Sequence, residues 1–222
     1  MLWSLAIEEQ FYMVWPFLAR GLTPRRLLAV CAFLILASPP VRSLTYDSLG
    51  YPAVYVATFC RLDTLAMGAM LAILVADERW RARVLSACRV LSLPALVAIG
   101  WIFARPFGAS YPGEFPPWFP VWGYSILALG FAIIVGACIE PHRLVRVLLG
   151  NRVMRFIGTL SYSIYVWHLF LAQLINRQAE RTPWLSGSFA ARAAIWLVVT
   201  SIVASASYFL FERPILRLKD RI

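Results

Sequence analysis

Hydrophobic residues run along this chain in long blocks separated by short polar or Pro-rich connections, without the period-two alternation of half-buried strands. Seven blocks stand out, at roughly 3–19, 27–41, 53–76, 84–104, 118–139, 156–176 and 189–211. Most approach the ~20 apolar residues that a helix needs to cross a bilayer. A helix satisfies its own backbone hydrogen bonds in lipid, so the pattern predicts an all-α integral membrane bundle of about seven transmembrane helices. The second block is short and ends at Pro39-Pro40, which predicts a tilted, broken or partly re-entrant segment. The connection 105–117 is rich in Pro and Gly and almost uncharged, whereas 140–155 and the tail after Glu212 are basic. No stretch is long and polar enough for a separate extramembrane part, so residues 1–222 read as a single transmembrane domain.

Composition narrows the class. Of 222 residues, 61% are hydrophobic and 14% charged, against about 45–50% and about 25% in an ordinary soluble domain. This excludes a soluble globular enzyme, a disordered chain and a free nucleic-acid binder. The net charge of +10 is then a topology signal, because basic residues collect in cytoplasmic connections. Fourteen of the 21 Lys and Arg residues fall in alternate connections: Arg20, Arg25, Arg26; Arg79, Arg81, Arg83; Arg143, Arg146, Arg152, Arg155; Arg213, Arg217, Lys219, Arg221. Arg42, Arg105, Arg177 and Arg181 occupy the intervening ones. The alternation predicts Met1 outside and the C-terminus in the cytoplasm. The lipid bilayer is the expected partner, anionic head groups are a secondary contact, and no nucleic-acid partner is expected. A start on the outer side predicts an odd number of spans upstream of Met1, so the sequence reads as the rear part of a longer protein. Cys31, Cys60, Cys88 and Cys138 lie in apolar runs without C-x-x-C spacing, which implies neither a disulfide framework nor a metal site.

Ionisable groups inside spans cost about 2.5–3.5 kcal/mol each on insertion scales and mark functional sites. Glu8, Tyr12 and Trp15 share one helix face by their i, i+4, i+7 spacing, and the neighbouring Glu9 points elsewhere. Arg61 and Asp63 fall in the third block, with Arg61 roughly 12 Å from the outer end of its helix, too deep for easy snorkelling. An i, i+2 pair does not face itself, so each needs a partner elsewhere, and Glu8 or Glu9 is the expected partner of Arg61. Its alternatives are a helix-locking ion pair or an anion-binding guanidinium. Ser161, Tyr165 and His168 form a third stripe at i, i+4, i+7, suited to interhelical hydrogen bonds or to a polyhydroxy ligand. His168 is the natural acid–base group near neutral pH, and His142 falls in a basic loop. Glu212 opposes the dipole of the last helix and predicts a basic partner.

Four segments together resemble the acyltransferase 3 family of integral membrane acyltransferases. WSLAIEEQFYMVWP is similar to its W-S-L-x-x-E-x-x-F-Y motif, and FCRLDTLAMGAMLA to its R-x-D-x-x-x-x-G segment. GTLSYSIYVWH is similar to its G-x-x-S-Y-x-x-Y-x-x-H segment, and FERPILRL to its closing E-x-P. The resemblance implies a multi-pass protein of the bacterial inner membrane. It implies transfer of an acyl group, often acetyl, from a cytoplasmic donor such as acyl-CoA to a hydroxyl of an extracytoplasmic or cell-envelope carbohydrate. Acyl-CoA enters as co-substrate, with no bound cofactor and no metal. The family's histidine base belongs to helices that the resemblance places before Met1, which a longer frame or a separate chain would supply. Glu8 and His168 are the catalytic candidates, and Arg61, Asp63, Ser161 and Tyr165 the substrate-binding ones. A transporter for a lipid-linked glycan and a non-catalytic remnant or membrane scaffold are the competing classes.

Overall fold

The computed structural model describes residues 3–104, 116, 118–180, 182 and 187–219. Among them every regular element is helical. The elements are α1 (Trp3–Gly21), α2 (Pro24–Leu49), α3 (Tyr51–Val56), α4 (Leu62–Ala76), α5 (Glu78–Ala104), α6 (Tyr124–Ile139), α7 (Arg143–Leu149), α8 (Arg152–Ala179), α9 (Phe189–Ser207) and α10 (Arg213–Lys219). A 3₁₀ turn, Thr58–Cys60, joins α3 to α4; single π turns, Phe119–Gly123 and Tyr208–Glu212, lead into α6 and out of α9. Among the described residues four helical stretches are long and apolar enough to cross a membrane: Pro24–Leu49, Glu78–Ala104, Phe119–Ile139 and Phe189–Arg217. Leu62–Ala76 is a shorter apolar helix. The expected connection 105–117 lies, except for Pro116, outside the described residues.

Two compact units divide the chain, Leu2–His142 and Arg143–Ile222. In the first, α5 packs along α6, and α4 against both α2 and α6. Small residues let α6 come close. A Cβ built on Gly136 would stand 2.5 Å from Cys88 Sγ, and one on Gly130 would stand 2.9 Å from Ile99 Cδ1. Gly136→Leu is therefore expected to cost about 1–3 kcal/mol by overpacking, read as a lower thermal midpoint in detergent; an unchanged midpoint would show that α5 is not held there.

Several sequence expectations change. The second block does not end at Pro39-Pro40, because α2 runs through both prolines for 26 residues. Thr23 accepts a hydrogen bond from the Arg26 amide and Pro24 occupies the first turn, where its missing N–H costs nothing. Gly50, at φ 77°, ends the helix in a conformation that a side chain disfavours. The third block is not one helix either. Ala57 is extended (φ −73°, ψ 129°), the 3₁₀ turn follows, and Arg61 caps the start of α4. Arg61 thus stands at a helix N-terminus, not deep in a continuous span. The charged connection after Asp77 is also helical. It forms the first turns of α5, and its Arg81, with Arg89, meets Glu140 at 3.0 and 3.1 Å. These half-exposed pairs contribute little to stability.

In the second unit Asn151 caps α8 by accepting from the Met154 amide at 2.9 Å, and Ser188 caps α9 by accepting from Ala191 at 3.2 Å. Buried Ser163 on α8 donates to Glu212 in the π turn after α9. Glu212 therefore takes a hydroxyl partner, not the expected basic one. The adjacent Arg213 stands over the Phe209 ring, 5.6 Å from its centroid.

Candidate functional site

The break between α3 and α4 is held from behind by a buried cluster. Arg42 on α2 and Asp63 in the first turn of α4 are both 0% exposed and pair at 2.9 Å. All three guanidinium nitrogens are engaged: Nε donates to the Val121 carbonyl at 2.7 Å and Nη1 also donates to the Cys60 carbonyl at 2.9 Å. Nη2 donates to Ser125 Oγ, which in turn donates to Asp63 Oδ2 at 2.5 Å. The break frees the Cys60 carbonyl from helical pairing, and Arg42 satisfies it. The Asp63 carboxylate also lies where the α4 dipole favours negative charge. One guanidinium thereby ties α2, the break and the start of α6 together.

Arg61 faces the other way. Its Nε and Nη2 each donate to the Tyr55 carbonyl at 3.3 Å. Its guanidinium carbon lies 3.6 Å from the Tyr124 ring centroid, 5.3 Å from that of Tyr55 and 5.5 Å from that of Trp3. The rings brace one another: Trp3 packs on Tyr55 with centroids 4.5 Å apart, and the Tyr51 and Tyr124 hydroxyls lie 2.8 Å apart. Three aromatic faces hold the cation by its quadrupole attraction. Among the described residues no carboxylate pairs with Arg61, so the expected bond to Glu8 or Glu9 is absent there.

Glu8 is nonetheless a neighbour. A cavity of about 150 Å³ is lined by Trp3, Ser4, Ile7 and Glu8 of α1, with Arg61, Thr64 and Leu65 across from them. Helical spacing puts residues 3, 4, 7 and 8 on one face. Thr58 donates to Gln10 Oε1 at 2.7 Å and fastens α1 to the break. A larger cavity of about 440 Å³, also lined by Arg61 and Thr64, follows α4 and α6. Asp63 lines neither cavity. Glu8 and Arg61 are thus brought together on one cavity, and Asp63 is enclosed behind it.

The other candidates lie in the second unit. Ser161 and Tyr165 are exposed on α8 and His168 is half-buried. His168 Nδ1 lies 2.6 Å from the Tyr165 carbonyl. A carbonyl only accepts, so Nδ1 is the donor in this contact. The Trp196 indole donates to the His168 carbonyl at 2.9 Å. A nearby cavity of about 390 Å³ is lined by Ile175, Asn176, Phe189, Arg192 and Trp196, among others.

Sequence reasoning missed Arg42, Ser125, Tyr124 and Thr64. A signal for Arg42 existed. Ser38, Arg42 and Thr45 repeat the i, i+4, i+7 stripe, and all three are buried. It was hidden by ending the helix at Pro39. Nothing in the local pattern marks Tyr124, whose partner ring is far away in sequence. Among the described residues no three His, Cys, Asp or Glu side chains cluster as a metal site.

Comparison with known proteins agrees with the family resemblance. The chain is 30% identical to YrhL of Bacillus subtilis over 96% of this chain and 34% of that one. It is 27% identical to the O-acetyltransferase OatA of Staphylococcus aureus over 96% of this chain and 35% of that one. It is 29% identical to the peptidoglycan O-acetyltransferase OatA of Listeria monocytogenes, over 96% and 34%. The chain thus spans about a third of the length of the curated relatives it matches. No solved structure matches it. The acyltransferase domain family matches residues 1–211, which covers Glu8, Arg61, Asp63, Ser161, Tyr165 and His168. With its W-S-L and R-x-D segments meeting on one cavity, this chain belongs to the acyltransferase 3 family.

Proposed function

We propose that this chain forms part of a membrane-bound O-acyltransferase, acting as an O-acetyltransferase on a hydroxyl of a cell-wall carbohydrate. The observation that carries the proposal is the meeting of Ser4 and Glu8 with Arg61 and Thr64 on one cavity. The relatives' names supply the acyl group and the acceptor class. In the reaction the acceptor oxygen attacks the acyl carbonyl carbon. The new C–O bond forms as the bond to the donor breaks, and the hydroxyl proton leaves to a base. Arg61, held by its rings and lining the cavity, offsets the developing oxyanion or an anionic group of the donor. Glu8 accepts from the acceptor hydroxyl or orients the base. In the second unit His168 is a separate acid–base candidate, and Ser161 and Tyr165 are hydroxyl-bearing binding candidates on the same helix α8. Asp63 supports the site by fixing the turn that presents Arg61.

Acyl-CoA from the cytoplasmic side is the proposed donor, in a bacterial inner membrane. We read α1, the α3–α4 pair and α8 as further crossings beside the four long apolar helices. Seven crossings then place residue 1 outside and the C-terminus inside, as the positive charge pattern requires. The test is a chimera in which this chain replaces the matched segment of Staphylococcus aureus OatA, expressed in cells lacking OatA. Alkali-labile acetate on the purified cell wall is the expected result. A chimera that reaches the membrane and acetylates nothing would favour the non-catalytic scaffold.

A further inference from the structure

We infer that the groove between α4 and α6 binds one membrane phospholipid, with its phosphate at Arg61 and one acyl chain lying along the helices. The groove changes character along its length. At one end stand Arg61, Thr64 and the Tyr124 ring; beyond them the lining is Gly68, Leu71, Leu127, Ala128, Phe131, Ala132 and Val135. A cation at the mouth of a wholly apolar channel complements an amphipathic anion. Among the described residues Arg61 has no carboxylate partner, and three rings hold it in place without neutralising it.

The level of the groove fits a lipid of one leaflet. Trp3, Tyr51, Tyr55, Trp118, Trp122 and Tyr124 gather at this end of the first unit. Such aromatic residues mark the head-group level of a membrane protein. From Arg61 to Leu71 the helix advances about 15 Å at 1.5 Å per residue. This is about half of the ~30 Å hydrocarbon core, the depth of a single leaflet. A glycerophospholipid chain matches that depth, whereas a long polyprenyl chain does not. The channel is open at the surface, since Phe131 is 49% and Val135 56% exposed. Gly68 keeps it clear: a Cβ there would have nothing within 4 Å. The groove shares Arg61 and Thr64 with the Glu8 cavity, whereas Gly68 and Val135 line the groove alone, so variants at those two positions test lipid binding separately from the catalytic proposal.

The experiment uses the full chain in maltoside micelles, titrated with phosphatidylglycerol and read by native mass spectrometry. Diacylglycerol and undecaprenyl phosphate with the same protein are the comparison arms. One phosphatidylglycerol per chain is expected, bound at least about ten-fold more tightly than diacylglycerol, the size of one charge-assisted contact. Gly68→Leu should remove that binding while the thermal midpoint is kept, because leucine favours the helix and meets no atom. Val135→Trp fills the groove from α6 and should do the same. Arg61→Gln should bring phosphatidylglycerol down to the diacylglycerol level. Equal binding of both lipids, binding unchanged in the two groove-filling variants, or tighter binding of undecaprenyl phosphate would each overturn the inference.

Discussion

Arg42→Met lowers the stability of the chain by about 3–5 kcal/mol, the cost of stranding one partner of a buried ion pair. The effect is large because Arg42 has no slack: Asp63, Ser125 and the carbonyls of Cys60 and Val121 all depend on it. Removing the guanidinium leaves the Asp63 carboxylate at 0% exposure with only the Ser125 hydroxyl. Its Oδ1 has no hydrogen-bond partner even with Arg42 present. The double variant Arg42→Met/Asp63→Leu should recover a large part of the loss, since no buried charge then remains. It should not reach wild type. The Cys60 carbonyl at the break loses its Arg42 donor, at about 1–3 kcal/mol for a buried polar group left unsatisfied. Thermal midpoints of the single and double variants in one detergent give the comparison. A double variant as unstable as Arg42→Met would show that the cluster is not a clamp. Because the clamp shapes the turn beneath Arg61, Arg42→Met should also loosen the candidate site.

The periodic features of this protein were legible in its sequence, and the interruptions were not. Runs of apolar residues placed the long helices, and the W-S-L and R-x-D segments pointed to Glu8 and Arg61. Pro39-Pro40 was read as a stop, yet helices in lipid tolerate proline because their neighbours supply the lost partners. Carrying the helix onward moves Arg42 from an outer connection into the core. The converse error occurred at 53–76, where no proline or glycine marks the break between Val56 and Leu62. That break depends on a guanidinium from another helix, and a tertiary contact of this kind leaves no trace in local periodicity. The partner of Arg61 was sought among carboxylates because charge pairing is the simplest rule. The chain instead uses aromatic faces contributed by α1, α3 and α6.

In the OatA chimera, Arg61→Gln should lower acetyl transfer about 10²-fold, the usual loss when a charge-stabilising donor is removed. Glu8→Gln should cost a similar factor of about 10² or more if its carboxylate handles or orients the proton. Arg61→Lys separates charge from shape. Lysine keeps the charge but cannot lie flat on Tyr124 while forking to the Tyr55 carbonyl, so an intermediate loss of about ten-fold is expected. Stability distinguishes these variants from those of Arg42. Arg61 is partly exposed and makes no buried ion pair, so Arg61→Gln should shift the thermal midpoint far less than Arg42→Met. Parallel loss of activity and stability in both would make Arg61 a structural residue and remove the basis of the catalytic proposal. The kinetic split locates its action. If kcat and kcat/KM fall together, Arg61 acts on charge present in the transition state; if KM alone rises, it holds a substrate group equally before and during reaction. The geometry favours the first outcome, because the rings fix the guanidinium before any substrate arrives and a preorganised charge acts without reorganising as the oxyanion forms.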